Sequence, residues 1–232
     1  MSKLKRRTSL TGALALGLAC MSPATHATLT INSVVGGVPS GASSYVNFND
    51  LPLGNAGGTS GGIAVSFSFP GQTVQGNLDG AYAAPYISNS NGALFGDMTV
   101  NGQDATPYLS AGNAAVVLML PNLEKYFGVL WGSVDTYNTL EFFSGMTSVG
   151  TITGTDVSAS ANGDQGANGT YYVNINSDVS FDKVVASSSR FAFEFDNVAY
   201  HTEALTVPEP VSMALLSLGL IGVGFTRRKP AA

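Results

Sequence analysis

Cysteine is almost missing from this chain: among 232 residues only Cys20 is one, and it falls in an apolar stretch near the N-terminus. With Cys20 removed along with that stretch, no disulfide braces the remainder and no thiolate is left to bind metal. Histidine is equally scarce. His26 also sits near the N-terminus, which leaves His201 alone in the body of the chain. One imidazole cannot furnish a histidine zinc site, and Ser–His or Cys–His nucleophilic chemistry would need a base at the domain's very edge.

Positive charge is the next shortage. Of ten Lys and Arg, four lie before residue 8 and three after residue 226, so residues 28–206 keep only Lys125, Lys183 and Arg190 against fourteen acids, a formal charge of −11. So acidic a surface argues against nucleic acid and anionic membranes as partners and suits solubility or divalent cations. A segment of about 180 residues is long enough to bury one core without staples.

Long apolar runs are confined to the two ends. Lys3, Lys5, Arg6 and Arg7 precede an apolar stretch from Leu10 to Met21, and Pro23-Ala24-Thr25-His26-Ala27 places small residues at −3 and −1 of a cleavage point. Residues 1–27 therefore read as a signal peptide, cut by signal peptidase between Ala27 and Thr28. The residues after Arg6-Arg7 lack the fuller twin-arginine pattern, and Gly17-Leu18-Ala19 is a poor lipobox before Cys20. General secretion is the expected route.

The other end, residues 207–232, has three parts in fixed order: Pro208-Glu209-Pro210, an uncharged run from Val211 to Thr226, and Arg227-Arg228-Lys229. At ~1.5 Å per residue the run reaches about 24 Å as a helix, just short of a hydrocarbon core of roughly 30 Å. Gly219, Gly222 and Gly224 suit a membrane helix better than a soluble one, and the basic end acts as a cytoplasmic stop. The tail resembles the PEP-CTERM sorting signal of exported bacterial envelope proteins. That resemblance implies processing by an exosortase, a membrane-embedded cysteine transpeptidase-like enzyme, with Pro208, Glu209 and Pro210 as the recognition element. It further implies an inner-membrane intermediate, followed by display at the cell surface or in the extracellular matrix.

Between the ends the hydrophobic period is two. Val65, Phe67 and Phe69 alternate with small residues, and Phe191, Phe193 and Phe195 alternate with Ala192, Glu194 and Asp196, as strands with one buried face require. Further strands are expected at 29–35, 45–48, 97–100, 115–120, 126–131, 139–144, 149–153, 171–175, 181–186 and 198–201. Asn-Gly and Gly-Gly pairs separate many of them. No amphipathic helix window stands out, and Asn162–Gly169 is the most loop-like stretch. The expected domain, 28–206, is all-β: an antiparallel β-sandwich of jelly-roll type.

Phe48-Asn49-Asp50-Leu51-Pro52 and Phe193-Glu194-Phe195-Asp196-Asn197-Val198 resemble the opening and closing strands of exported β-sandwich domains, carbohydrate-binding-module-like jelly rolls among them. The resemblance implies a structural calcium, with Asn49, Asp50, Glu194 and Asp196 as candidate ligands. The alternative is that these are ordinary strand-end and turn residues. Tyr126 to Phe143 is similar to a pattern in a subset of exosortase-dependent surface proteins, in which a strand ending Trp-Gly-Ser-x-Asp turns into one bearing an aromatic pair. There Trp131, Asp135, Tyr137 and Asn138 are the candidate glycan platform, since an aromatic face stacks on a pyranose while amide and carboxylate groups bond its hydroxyls. Core packing of the single Trp is the competing reading.

The expected role is a structural, adhesive or glycan-associated surface component, with exopolysaccharide as a partner and no catalytic residues. A glycosidase is the alternative. It would draw two carboxylates from Glu124, Glu141, Glu194 and Glu203, set roughly 5–10 Å apart.

Overall fold

A computed structural model describes residues 28–42 and 44–205. The expected signal peptide, sorting motif, membrane helix and basic stop lie outside the described residues. Among the described residues no helix is long and apolar enough to cross a membrane.

The first part of the domain holds β1 (Leu29–Val35), β2 (Ser44–Val46), β3 (Gly58–Ser60), β4 (Ile63–Phe67) and β5 (Gln72–Val74). A long excursion follows with only a two-stranded ribbon, β6 (Tyr86–Ile87) and β7 (Gly102–Gln103), and a 3-10 turn at Ala93–Phe95. Then come β8 (Tyr108–Ser110), β9 (Ala115–Gly132), β10 (Asn138–Ser144), β11 (Thr147–Thr153), β12 (Tyr171–Ser188) and β13 (Glu194–His201). The one α-turn among the described residues, α1 (Gly154–Val157), starts where Asp156 accepts the Thr153 main-chain N–H at 2.8 Å.

The all-β antiparallel class is as expected. Alternation explains it locally: in β4 Ile63 and Val65 are buried while Ala64 and Ser66 face water, and in β10 Leu140 and Phe142 are buried between partly exposed Thr139 and Glu141. Eleven strands join one sheet whose main path runs β11-β10-β12-β9-β13-β8-β5. Apart from the β6–β7 ribbon, the described residues form no second hydrogen-bonded sheet. The reason is that the segments expected as pairs of short strands fuse into β9 and β12, each 18 residues long.

Each long strand serves two neighbourhoods. The first half of β9 pairs with β4 and the end of β12, and its second half pairs with β13 and the start of β12. The register slips between these halves, around Asn176–Lys183 of β12. Pro121 falls at that irregularity, where a missing N–H costs no ladder bond. On the two sides of the slip, β1 flanks the start of β12 and β10 its end.

Both halves send side chains into one core, including Val116, Phe127, Trp131, Phe181 and Phe195. Phe142 makes edge contacts with Phe127 and Phe181, at 5.8 and 5.0 Å between ring centroids. Removing each such side chain from water contributes roughly 1.5–3 kcal/mol.

The opposite face of β9, β12 and β13 is covered by the excursion at 75–107. Ile87 and Phe95 pack there on Tyr126, Leu130 and Tyr172. Two glycines permit the close approach: a Cβ on Gly132 would meet Pro85 at 3.1 Å, and one on Gly128 would meet the hydroxyls of Tyr126 and Tyr172 at 2.5 and 2.7 Å.

Three expected strand features fail for local reasons. Residues 97–100 form no strand, because Asp97 Oδ1 accepts the Thr99 N–H at 2.8 Å and holds a turn. Phe69 is 85 % exposed, since β4 ends at Phe67 before the turn that carries Pro70. Phe191 is also exposed, and the final strand begins only at Glu194.

Candidate functional site

Four chain segments enclose a cleft of about 320 Å³ at the end of β9 and the start of β13. One wall is the loop at 77–83. Leu78 and Tyr82 exchange both main-chain hydrogen bonds, at 2.9 and 3.1 Å, and the side-chain oxygen of Asn77 accepts the Ala84 N–H at 2.8 Å. This tight loop presents Tyr82, whose ring meets Tyr108 edge-on at 6.5 Å.

The facing wall is the turn after β9. The Val134 N–H donates to Gly169 O at 2.9 Å, and the Gly163 N–H donates to Val134 O at 3.0 Å. That folds the loop-like stretch at 162–169 against Asp135 and brings Gln165 to the cleft. Tyr137 stands beside Asp135, its hydroxyl donating to Phe191 O at 3.3 Å, with the Arg190 guanidinium 5.5 Å from the centre of its ring. Phe191 and Ala192 close the rim.

Glu194 is the floor. Its carboxylate accepts the Ser133 hydroxyl at 2.5 Å and the Ala83 N–H at 3.1 Å. Ser133 reaches it from a backbone φ of +39°, a region non-glycine residues seldom occupy. Burial pushes the carboxyl up to about 7, the two hydrogen bonds lower it, and the charge of Asp135 adds to the rise. The cleft thus joins three aromatic side chains, Tyr82, Tyr137 and Phe191, to carboxylates, amides and a hydroxyl.

Of the expected glycan platform, Asp135 and Tyr137 line this cleft and the other two residues do not. Trp131 has no exposed surface and stacks on Phe193 at 4.5 Å, so both its faces belong to the core and none is free for a sugar. Asn138 is fully buried and accepts the Ser188 hydroxyl at 3.2 Å. The missed residues are Asn77, Asp79, Tyr82, Gln165 and Phe191. A signal for one of them existed, since an aromatic following the Gly76 to Gly80 loop reads as a presented side chain.

The expected calcium ligands do not assemble either. Asn49 and Asp50 lie on an exposed turn, Glu194 is committed to Ser133 and Ala83, and Asp196 is buried under the covering segment. Among the described residues no three His, Cys, Asp or Glu side chains form a metal group.

The remaining carboxylates are scattered. Glu194 pairs with Gly132, whereas Glu124 lies eight residues earlier on β9, about 26 Å away at ~3.3 Å per residue. Glu141 accepts the Ser148 hydroxyl at 2.8 Å on the surface, and Glu203 follows the last strand. Gly58-Thr59-Ser60-Gly61-Gly62 does spell Gly-x-Ser-x-Gly, a pattern sequence reasoning passed over. It forms a hairpin between β3 and β4, not the strand-to-helix elbow that exposes a nucleophile.

Comparison with known families decides what the tail is. Residues 206–229 match the family model of the PEP-CTERM protein-sorting motif. The chain carries an exosortase sorting signal. The match contains Pro208-Glu209-Pro210, the apolar run and the basic end, so the chain is an exosortase substrate exported to the cell envelope through a membrane-anchored intermediate. No curated protein and no solved structure matches the chain.

Proposed function

We propose that the exported domain is a structural or adhesive component of the cell surface and extracellular matrix that holds exopolysaccharide in the cleft above Glu194. The carrying observation is the set of Tyr82, Tyr137 and Phe191 around Asn77, Asp79, Asp135 and Gln165. Aromatic faces stack on pyranose rings, and the amide and carboxylate groups bond the hydroxyls. Three carboxylates in one cleft repel uronates and other anionic sugars, so neutral or amino sugars are the favoured ligands. In this reading the signal peptide ends at Ala27, the apolar run at 211–226 spans the membrane before processing, and the bent sheet serves as a sandwich-like scaffold around one core.

The test is retention of the protein on purified envelope polysaccharide, backed by a glycan array. Tyr82→Ala and Tyr137→Ala are each expected to weaken retention roughly tenfold, the value of one aromatic stack. Retention unchanged in the double variant would refute the reading.

One observation favours a second reading: Glu194 and Asp135 face the same cleft, and a carboxyl pair is what glycoside hydrolysis uses. It requires turnover of a bound glycan that disappears in Glu194→Gln. Binding without turnover leaves the display role standing.

A further inference from the structure

Two aspartates meet beneath the segment that covers the sheet, with a third near enough for its charge to bear on them. Asp196 comes from β13, and Asp97 and Asp104 come from the covering segment itself. They are 0 %, 7 % and 2 % exposed respectively. Asp104 Oδ1 accepts the Thr106 N–H and hydroxyl at 2.8 and 2.6 Å, and Asp97 Oδ1 accepts the Thr99 N–H. The other oxygen of each, and both oxygens of Asp196, have no hydrogen-bond partner.

Asp104 and Asp196 lie within hydrogen-bonding reach of one another, and the charge of Asp97 bears on both. No cation faces the pair among the described residues: Lys183 lies over Phe143 and Arg190 over Tyr137. An ionised carboxylate buried without a partner costs several kcal/mol, so something must neutralise this cluster. A single shared proton would bond one oxygen of Asp104 to one of Asp196. It would leave the second Asp196 oxygen and Asp97 Oδ2 with nothing.

We propose that Asp104 and Asp196 are the carboxylate ligands of a structural calcium ion that clamps the covering segment onto β13. Two carboxylates match the ion's charge, and the side-chain amide of Asn197, next in the chain after Asp196, is likewise unpartnered and only 1 % exposed. The donors are all oxygen, with no imidazole or thiolate, which selects a hard cation. Among the described residues no three acidic, histidine or cysteine side chains form one ready-made group. The site therefore rests on the pair, with neutral oxygens and water completing a shell of six to eight and Asp97 supplying charge from nearby. Because Asn77–Ala83 belongs to the same excursion, the clamp also steadies one wall of the cleft.

The experiment is calorimetric titration of the full chain in detergent with calcium chloride and, separately, magnesium chloride, alongside thermal melting with and without EDTA. One calcium per chain is expected, with a dissociation constant of order 10⁻⁴–10⁻³ M, typical of extracellular modules. At calcium a hundredfold above that constant the melting midpoint rises by roughly 5–10 °C. Asp104→Asn and Asp196→Asn each abolish the binding heat and the rise. In EDTA both melt at or above the parent, since an amide replaces an uncompensated carboxylate, which shows that they are folded. No heat and no rise in the parent chain overturns the proposal. So does a response that survives in both variants, a larger response to magnesium than to calcium, or stabilisation by acid to which calcium adds nothing.

Discussion

Asn176 grips the main chain of Leu205 from both sides: its Nδ2 donates to Leu205 O at 2.8 Å, and the Leu205 N–H donates to its Oδ1 at 2.7 Å. Leu205 directly precedes the matched sorting segment at 206–229. The other end is held close by, where the Thr28 N–H donates to Asp178 Oδ1 at 2.8 Å. Both ends of the described domain thus adjoin one stretch of β12, and the fold is secured up to each of them.

Asn176→Ala removes both bonds and is expected to lower unfolding stability by about 1–2 kcal/mol. Chemical denaturation measures the loss, and limited proteolysis locates it. Cleavage near residue 205 should accelerate while the sheet core stays protected; an unaltered digestion pattern would show that the clasp is idle.

Trp131 fills the core against Phe193, so Trp131→Ala is expected to cost about 3–5 kcal/mol. Trp131→Phe keeps the ring contact and should cost far less. Polysaccharide retention by Trp131→Phe should equal that of the parent, because no face of the indole is open. A selective loss of retention in a stably folded Trp131→Phe chain contradicts the core assignment.

Glu194 gives a pH signature. Its folded-state pKa is raised from 4.5 to about 7, chiefly by burial. Below 4.5 the group is protonated in both states. Between 4.5 and 7 the folded state keeps a proton that the unfolded chain has lost, so the associated stability is fully present at low pH and fades as pH rises through 7. Its size is on the order of 2–3 kcal/mol. Denaturation measured in EDTA at pH 5 and pH 8 should show the fall, and Glu194→Gln should make it smaller, with buried Asp104 and Asp196 accounting for what remains. An equal fall in Glu194→Gln assigns the effect to other groups.

Much of the strand content is legible before folding. Leu29–Val35 is read to the residue, and the alternation around Leu140 and Phe142 marks β10, because a strand with one buried face writes its period into neighbours two apart. The short strands β3, β5 and β8, three residues each, escape detection. They carry too few residues to display a period: β3 and β8 form on the edges of the longer β4 and β13, and β5 forms in turn on β8.

The cleft was half legible. Asp135 and Tyr137 stand in a distinctive turn, whereas Tyr82 and Phe191 reach the same cleft from segments more than fifty residues away on either side. For Trp131 the sequence leaves platform and core packing both open, because composition cannot say which face of a strand is covered; Phe193 of the neighbouring segment covers it, and the core reading holds.

Destination was written in the chain alone: an ordered motif, apolar run and basic end are contiguous, and their recognition needs no tertiary contact. The joining of β9 and β12 into strands that serve both halves of the sheet was decided only on folding. So was the meeting of Asp104 with Asp196, and of Asp135 with Glu194. Those pairs depend on ladder register and on where the excursion at 75–107 comes to rest, and both are set by the sum of long-range packing, which leaves no period in local sequence.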